Sequence, residues 1–452
     1  MEKRPDSYIK AYDIRALIPD ELDEPEMERI GAAFVAVMSA ERVLVGRDMR
    51  ATSPALASAF SAGARSQGAD VVDIGLVSVD MLYYASGAMS LPGAMITASH
   101  NPAVYNGVKF CRAKAGPFGQ DSGLDLLRNL LLHSLPSPGG ATGHTYHVDV
   151  SAGFGRHLRE VAPEIGSRPL KAVFDAGNGM AGLSVPAAFD PAFRAANSLE
   201  WDQLFFELDG TFPNHEANPL VPENIQALCT RVVETGADVG FAFDGDADRC
   251  FVVDEQGMPV SASTLMAWLG SLCLNTRPGA VIATNAIASH AVREAVSAKQ
   301  GRVVRGPAGH SFMKELMARE HAVFGGEHAG HYYFSEFWNA DSGVLAALHV
   351  LAGMSRHDQP LSRILAPYRT YFPSGEISIE GRDGNVVLPK VQAHYGDHAA
   401  DHVDGLSVYF TDDSWFNLRP SNTEPVLRLN VESRSPQRTQ SLVEEILGLV
   451  HT

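Results

Sequence analysis

Short apolar runs that end in polar or glycine-rich turns recur along the chain and predict strands. Three of them begin at Arg42, Lys171 and Ala280, and each leads into an alanine-rich segment that is compatible with a helix. This alternation of strand and helix is typical of βαβ units, in which helices cover a sheet. The pattern therefore predicts three related α/β domains.

The last part of the chain has a different pattern. Alternating positions over residues 375–379 predict a strand and residues 440–450 a helix, which favours an α+β domain. A Pro/Gly/Ser-rich segment at 135–143 is typical of a linker, and two weaker boundaries lie near residues 254 and 366. The expected domains are 1–148, 149–254, 255–366 and 367–452.

Length and charge narrow the classes of function. A chain of 452 residues is longer than one ordinary hydrophobic core requires and favours about two to four domains. Its 36 Lys and Arg against 53 Asp and Glu give a net charge of −17, which argues against nucleic acid or an anionic membrane as a partner. The charged N-terminal residues are unlike a signal peptide and no apolar run is long enough to span a bilayer, so we expect a cytoplasmic protein.

The sequence TASHNP, residues 97–102, places Ser99 directly after an apolar strand. Because Pro102 cannot continue a central strand, the segment is predicted to be a tight, exposed loop. A turn or helix cap is one interpretation of Ser99, and a hydrolase nucleophile is another, although the Gly-x-Ser-x-Gly pattern is missing. A third is a phosphoryl carrier, which requires a metal, cationic groups and a second phosphate site.

Three carboxylates alternate in the loop DGDADR, at Asp244, Asp246 and Asp248, between two predicted buried strands. Closely spaced carboxylates repel each other without a cation, and their oxygens suit Mg²⁺ or Ca²⁺. A calcium-binding EF-hand is disfavoured because Arg249 stands where that loop needs glycine. We therefore expect Mg²⁺ with positions open for water and a phosphate oxygen, and a solvated loop is the alternative.

Two further loops suit a phosphorylated sugar. In RPSNTEP, Arg419 and Ser421, with the later Arg428, offer a planar donor fork and hydroxyls that fit a phosphate dianion. A capped turn is the alternative for this loop. In GEHAGH, Glu327 and His331 could accept from and donate to sugar hydroxyls, and a metal site there is the weaker interpretation.

Taken in order, these four motifs resemble the α-D-phosphohexomutase family, in its phosphomannomutase/phosphoglucomutase branch. The segments KAYDIR at 10–15, YNGVK at 105–109 and GHS at 309–311 also match, so the resemblance covers essentially the whole chain. It implies three related α/β domains with mixed sheets and a C-terminal α+β domain. It further implies a heart-shaped molecule in which each domain contributes a loop to a central cleft.

The resemblance also implies residue roles. Ser99 would carry the phosphoryl group, with Arg15 and Lys109 beside it and Lys109 or His331 moving the hydroxyl proton. The implied Mg²⁺ ligands are a phosphoserine oxygen of Ser99 and the carboxylates of Asp244, Asp246 and Asp248. The implied substrate contacts are Tyr12, Arg249, His310, Glu327, His331, Arg419, Ser421, Asn422, Thr423 and Arg428.

The implied reaction interconverts mannose 6-phosphate and mannose 1-phosphate through hexose 1,6-bisphosphate, which also serves as activator. Phosphoglucomutase or dual specificity is the nearest alternative, because the glutamate of GEHAGH would contact hydroxyls that glucose and mannose share. Two departures from the family pattern also bear on the sugar preference: Ala329 replaces a serine common in relatives, and residues 285–289 lack a lysine that some relatives place near the sugar. A bisphosphate synthase or phosphatase and a non-enzymatic sugar-phosphate-binding regulator are further alternatives. No nucleic acid, membrane or obligatory protein partner is expected.

Overall fold

The computed structural model describes residues 4–135, 140–421 and 426–451. Its contacts divide the chain into two compact units. The first runs to Val260 and includes Ala329–Ile364, and the second comprises Ser261–His328 and the chain from Leu365 onward.

A six-stranded mixed sheet opens the first unit. Its strands are β1 (Ile14–Leu17), β2 (Arg42–Arg47), β3 (Asp70–Leu76), β4 (Gly93–Ile96), β5 (Tyr105–Cys111) and β6 (Thr145–His147). They lie in the order β1-β5-β4-β2-β3-β6, in which β5 runs antiparallel to β1 and β4, and the pairs β2–β3, β2–β4 and β3–β6 are parallel. Its helices are α1 (Pro5–Tyr8), α2 (Glu24–Met38), α3 (Ser53–Ser66), α4 (Val79–Met89) and α5 (Asp125–Leu132).

The core of this region is aromatic. Phe34 of α2 stacks on Phe110 of β5 with ring centroids 4.9 Å apart, and Phe60 and Phe118 complete the group. Helix α2 begins where Asp23 accepts a hydrogen bond from the Glu26 backbone N–H at 3.0 Å, which satisfies one of the donors left open at a helix start. Strands β4 and β5, which carry the serine loop between them, therefore rest on a packed layer.

The second sheet of this unit is also mixed. Its elements are α6 (Ser151–Val161), β7 (Leu170–Asp175), α7 (Ala181–Ala188), α8 (Pro191–Ala196), β8 (Leu199–Leu204), α9 (Gln226–Thr235), β9 (Val239–Phe243), β10 (Cys250–Asp254) and β11 (Pro259–Val260). The order is β11-β10-β9-β7-β8, with β7 parallel to β8 and β9, and β10 antiparallel to β9 and β11. The β9–β10 hairpin carries the DGDADR loop at its tip.

The next stretch of chain contributes its first elements to the second unit and, from Ala329 onward, its later elements to the first unit. They are α10 (Ala262–Thr276), β12 (Val281–Asn285), α11 (His290–Ala298), β13 (Arg302–Gly306), α12 (His310–Glu320), β14 (Phe324–Gly326), β15 (Tyr332–Phe334), β16 (Ala340–Asp341), α13 (Gly343–Met354) and α14 (Leu361–Leu365). In the second unit β12 is parallel to β13 and β14. In the first unit β15 and β16 form an antiparallel pair.

The chain ends in an antiparallel sheet with two helices. Its elements are β17 (Phe372–Glu380), α15 (Gly384–His394), β18 (Ala399–Asp401), β19 (Leu406–Tyr409), β20 (Trp415–Pro420), β21 (Val426–Ser433) and α16 (Pro436–His451). All strands are antiparallel, in the order β17-β21-β20-β19-β18. Leu406, Leu418, Leu429 and Leu442 lie in its core.

These sheets confirm the predicted class of mixed α/β domains followed by an α+β domain. The strands predicted near Arg42, Lys171 and Ala280 are β2, β7 and β12. The domain boundaries near residues 148, 254 and 366 stay predictions, as does the arrangement around a cleft. Within the described ranges, no helix combines the length and apolar character that crossing a bilayer requires.

Candidate active site

Ser99 lies in the loop that follows β4. Its backbone has φ of 50°, a left-handed conformation that is uncommon outside glycine, and its N–H donates to Thr97 Oγ1 at 2.9 Å. The loop was predicted to be exposed, and this is wrong for Ser99, which is only 1% accessible. Ser99 is buried because the DGDADR loop packs directly on the serine loop. A Cβ added at Gly245 would lie 2.4 Å from the Ser99 carbonyl oxygen.

Arg50 holds the serine loop from beneath and was not predicted. Its guanidinium donates at 2.6–3.0 Å to four backbone carbonyls, those of Ser99, Asn101, Pro102 and Tyr105. Asp48 accepts from its Nε at 3.2 Å, and both side chains are 1% exposed. Burial lowers the pKa of Arg50 and the charge of Asp48 opposes that effect. The only sequence feature that pointed to Arg50 was the segment Asp-Met-Arg, which places two charged residues directly after the apolar strand β2.

The three aspartates of DGDADR converge as predicted. Asp244, Asp246 and Asp248 are at most 1% exposed, and each offers a carboxylate oxygen within 4.8 Å of the others. Ser99 Oγ donates to Asp244 Oδ2 at 2.7 Å. Burial, together with the charges of Asp248 and Asp246, raises the pKa of Asp244 to about 7. The described residues supply no hydrogen bond to Asp246 Oδ1 or Asp248 Oδ1, although both atoms are buried, so this donor set fits a divalent cation.

Lys109 faces these carboxylates from β5, where it pairs in register with Met95 of β4. Its Nζ lies 2.8 Å from Asp246 Oδ2 and also donates to Asp248. Burial works to lower the pKa of Lys109, but Asp246 and Asp248 outweigh it and raise the pKa. The ammonium therefore stays charged and offsets part of the negative charge of the loop.

Arg15 reaches the same place from β1. Its Nη1 donates to the Thr97 carbonyl at 3.2 Å, and its Nη2 lies 2.9 Å from Asp13 Oδ2. Asp13 was not predicted, although its position two residues before Arg15 was a usable signal. Tyr12 lies in the bend before β1 and acts on the pKa of both Arg15 and Arg249, so it is close to both guanidinium groups.

His100 separates Arg249 from the serine. Arg249 Nη2 donates to His100 Nδ1 at 3.0 Å, and Ser99 Oγ lies 3.2 Å from the same nitrogen. Burial and the nearby charges of Arg249 and Arg15 place the pKa of His100 well below its usual value. The imidazole is therefore neutral and accepts hydrogen bonds through Nδ1.

His331 joins this group from the GEHAGH loop. An isolated β-bridge pairs it with Arg249, and its Nδ1 lies 2.8 Å from Asp341 Oδ2 and 3.7 Å from Asp248 Oδ1. Burial acts to lower the pKa of His331, but Asp248 and Asp341 raise it. Asp341 was not predicted, because nothing in the sequence distinguishes it from other acids that end a strand.

The second unit holds the remaining predicted residues in two places. Glu327 accepts a hydrogen bond from the Gly309 backbone N–H at 2.8 Å, which brings it beside His310 at the start of α12. Glu327 and His310 are 3% and 6% exposed. The two predicted sugar contacts of this unit are therefore buried and lie next to each other.

The predicted phosphate clamp lies on the C-terminal sheet. Arg419 of β20 and Arg428 of β21 are register partners, and the Ser421 N–H donates to the Val426 carbonyl at 2.9 Å. Asn422 and Thr423 lie outside the described residues. Arg419 Nη2 lies 2.7 Å from Glu376 Oε2, and Glu376 was not predicted.

Within the first unit the structure brings one set of predicted residues together: Ser99, Asp244, Asp246, Asp248, Arg15, Lys109, Arg249 and His331. The Ser99 hydroxyl donates to a cluster of three carboxylates that could bind a divalent metal, and cationic side chains surround it. A serine in such a place can accept a phosphoryl group and pass it on. The roles of the individual residues stay predictions.

The chain matches four profiles described as Phosphoglucomutase/phosphomannomutase: alpha/beta/alpha domain I over residues 6–130, domain II over 152–257, domain III over 262–371 and the C-terminal domain over 384–449.

Individual relatives extend over nearly the full length. A protein of Xanthomonas campestris named "Phosphohexose mutases" is 40% identical over 97% of this chain and 99% of its own. A phosphomannomutase of Salmonella typhimurium is 38% identical over 94% of both chains. A crystal structure of a phosphoglucomutase/phosphomannomutase family protein from Burkholderia thailandensis is similar with a TM-score of 0.88 and 29% identity, covering 98% of this chain and 96% of that one.

Proposed function

This chain belongs to the phosphoglucomutase/phosphomannomutase family and is a mutase, and from this premise we propose that it interconverts mannose 6-phosphate and mannose 1-phosphate. The proposed route passes through phosphorylated Ser99 and a hexose 1,6-bisphosphate. The observation that carries it is the 2.7 Å hydrogen bond from Ser99 Oγ to Asp244, inside a buried group of three carboxylates.

Mg²⁺ is the ion we propose for this group, with Asp244, Asp246, Asp248 and an oxygen of phosphorylated Ser99 holding it. When bound, it supplies positive charge to the oxygens of the phosphoryl group. Lys109 on β5 and Arg15 on β1 add two fixed positive charges beside this group of carboxylates. Because the transition state of phosphoryl transfer is loose, placing these charges contributes more than covalent chemistry does.

The first transfer breaks the bond between Ser99 Oγ and phosphorus and forms one between phosphorus and a sugar hydroxyl oxygen. The hydroxyl proton needs an acceptor, and the released Ser99 Oγ takes up one proton to become a hydroxyl, so the number of protons on the two reacting oxygens is unchanged. Lys109 Nζ already donates to two carboxylates, whereas His331 donates from Nδ1 to Asp341 and keeps Nε2 for accepting a proton. We therefore assign His331 as the acceptor and Lys109 as an electrostatic partner.

The second transfer returns a phosphoryl group to Ser99 from the other end of the sugar, so the bisphosphate must turn in between. In each half of the cycle the phosphate that does not react needs a partner, and we assign Arg419, Ser421 and Arg428 to it. Glu327 and His310 would bind the sugar hydroxyls. Several relatives named phosphomannomutase, at 35–38% identity over nearly the full length, support mannose as the sugar.

Glucose phosphates are the second candidate, since the matching family description names both activities. Measuring kcat/KM for mannose 1-phosphate and glucose 1-phosphate side by side decides between them. A higher value for glucose 1-phosphate would refute the mannose assignment and leave the mutase chemistry intact.

The carrier role of Ser99 is tested with hexose 1,6-bisphosphate labelled in its phosphoryl groups. We expect label on the Ser99 peptide of the wild type, loss of label and of turnover in Ser99→Ala, and normal behaviour in the control Ser61→Ala, whose serine lies in α3. Label at another residue, with Ser99 unmodified and the enzyme active, would exclude the proposed carrier.

A further inference from the structure

A carboxylate lies inside the predicted phosphate clamp. Strands β20, β21 and β17 are neighbours, and their registers align Arg419 with Arg428 and Arg428 with Ser378. Glu376 precedes Ser378 by two positions on β17, so it projects from the same face of the sheet. The sheet itself therefore places an acid next to two arginines.

Both oxygens of this carboxylate face cations or donors. Oε2 of Glu376 lies 2.7 Å from Arg419 Nη2 and 3.6 Å from His328 Nε2, and Oε1 lies 3.6 Å from Arg428 Nε. The Arg419 side chain is 7% exposed and that of Glu376 is 28% exposed, so Glu376 is the more accessible partner of a pair that is partly shielded from water.

Glu376 is ionised at neutral pH. Burial works to raise the pKa of its carboxyl, but the hydrogen bond and charge of His328, with the charges of Arg419 and Arg428, lower that pKa to about 2. A permanent negative charge thus occupies donors that a phosphate dianion would use.

We propose that Glu376 is an internal counter-anion that competes with the substrate phosphate for Arg419 and so weakens the hold of the clamp. The inference rests on the proposed function, in which the bisphosphate must leave the clamp and turn around in every cycle. A clamp of two arginines without a competing anion would bind phosphate more tightly and release it more slowly. Glu376 therefore favours turnover at the expense of affinity.

A purely structural role predicts the opposite sign. If Glu376 only kept the guanidinium of Arg419 in position, removing its charge would leave Arg419 less ordered and would weaken phosphate binding. The direction of the change in affinity consequently separates the two roles.

The test compares the wild type with Glu376→Gln, which keeps the size of the side chain and removes its charge. The matched control is Asp401→Asn, because Asp401 pairs with Arg305 of β13 at the same 2.7 Å and lies on β18, at the opposite edge of the C-terminal sheet from β17. The probe is 1,5-anhydromannitol 6-phosphate, which lacks the reacting hydroxyl, added with Mg²⁺ to enzyme phosphorylated by hexose 1,6-bisphosphate and then freed of it.

We expect the dissociation constant measured by calorimetry to fall about five- to ten-fold in Glu376→Gln, which is below the range for a fully buried charge-assisted hydrogen bond because the pair is partly exposed. We also expect KM and kcat for mannose 1-phosphate to fall together, as tighter retention of the bisphosphate predicts. Asp401→Asn should stay within about two-fold of the wild type. Glu376→Asp, which retains the charge on a shorter side chain, should tighten binding less than Glu376→Gln does.

An unchanged or larger dissociation constant in Glu376→Gln, with the fold intact by circular dichroism, would overturn the inference. If that variant is misfolded, Glu376→Asp decides, and weaker binding there overturns it equally. A wild type that fails to isomerise hexose phosphates would instead refute the proposed function, whereas normal wild-type turnover with weaker binding in the variants refutes only the role of Glu376.

Discussion

Replacing Arg50 by lysine tests how the serine loop is held. Arg50 donates to four backbone carbonyls from two nitrogens and is 1% exposed, so water does not replace a lost donor. A lysine ammonium has three donors on one atom, and pairing with Asp48 uses one of them, so at least two carbonyls lose their partner. Charge-assisted hydrogen bonds contribute about 1.5–3 kcal/mol each, and relaxation recovers part of that, so we expect a loss of about 3–5 kcal/mol in the free energy of unfolding.

The same change should reduce catalysis without removing any group that touches the substrate. Ser99 has a left-handed backbone whose carbonyl Arg50 binds, and a loop displaced by about 1 Å can lower a rate by about 100-fold. We expect kcat/KM to fall by about that factor, with faster amide hydrogen exchange in residues 99–105.

Urea unfolding, steady-state kinetics and exchange measured by mass spectrometry check these three expectations. The control is Arg65→Lys, because Arg65 donates from its Nε to a single carbonyl in α3. The reasoning is refuted if Arg50→Lys stays within about 1 kcal/mol and two-fold of the wild type, which would mean that the loop holds its conformation without the guanidinium.

Because burial and its neighbours raise the pKa of Asp244 to about 7, the apparent affinity for Mg²⁺ should fall as pH decreases below about 7, and calorimetry in two buffers should detect proton release on binding; pH-independent affinity would contradict this. Gly245→Ala should lower kcat/KM by about 100-fold, since its Cβ would meet the Ser99 carbonyl at 2.4 Å, and wild-type kinetics in this variant would show that the loops need not touch. Burial opposes protonation of His215, but the ion pair with Asp175 raises the pKa of His215. The stability that this ion pair contributes, and that His215→Asn removes, should therefore be fully present below about pH 6.5 and lost as pH rises through the raised pKa. A loss of stability in urea unfolding that does not depend on pH would exclude this ion pair.

The local chemistry of this protein could be predicted from its sequence. Asp244, Asp246 and Asp248 alternate between two apolar strands, and Pro102 ends the segment that presents Ser99, so short stretches of chain carry these signals. The ordered motifs identified the family for the same reason, since each motif is contiguous. The strands β2, β7 and β12 were likewise visible in their apolar runs.

Tertiary structure alone decided which side chains that are distant in sequence meet within each unit. Glu376 and Arg419 are 43 positions apart, and the chain has 53 Asp and Glu residues, so sequence spacing does not select the acid that reaches this arginine. The registers of β17, β21 and β20 make that selection. Burial of Ser99 also depends on contacts between segments that are distant in sequence. The serine loop would be exposed as an isolated segment, and it becomes covered only when Arg50 and the DGDADR loop pack against it. Packing between segments that are remote in sequence depends on the whole fold, and local patterns carry no record of it.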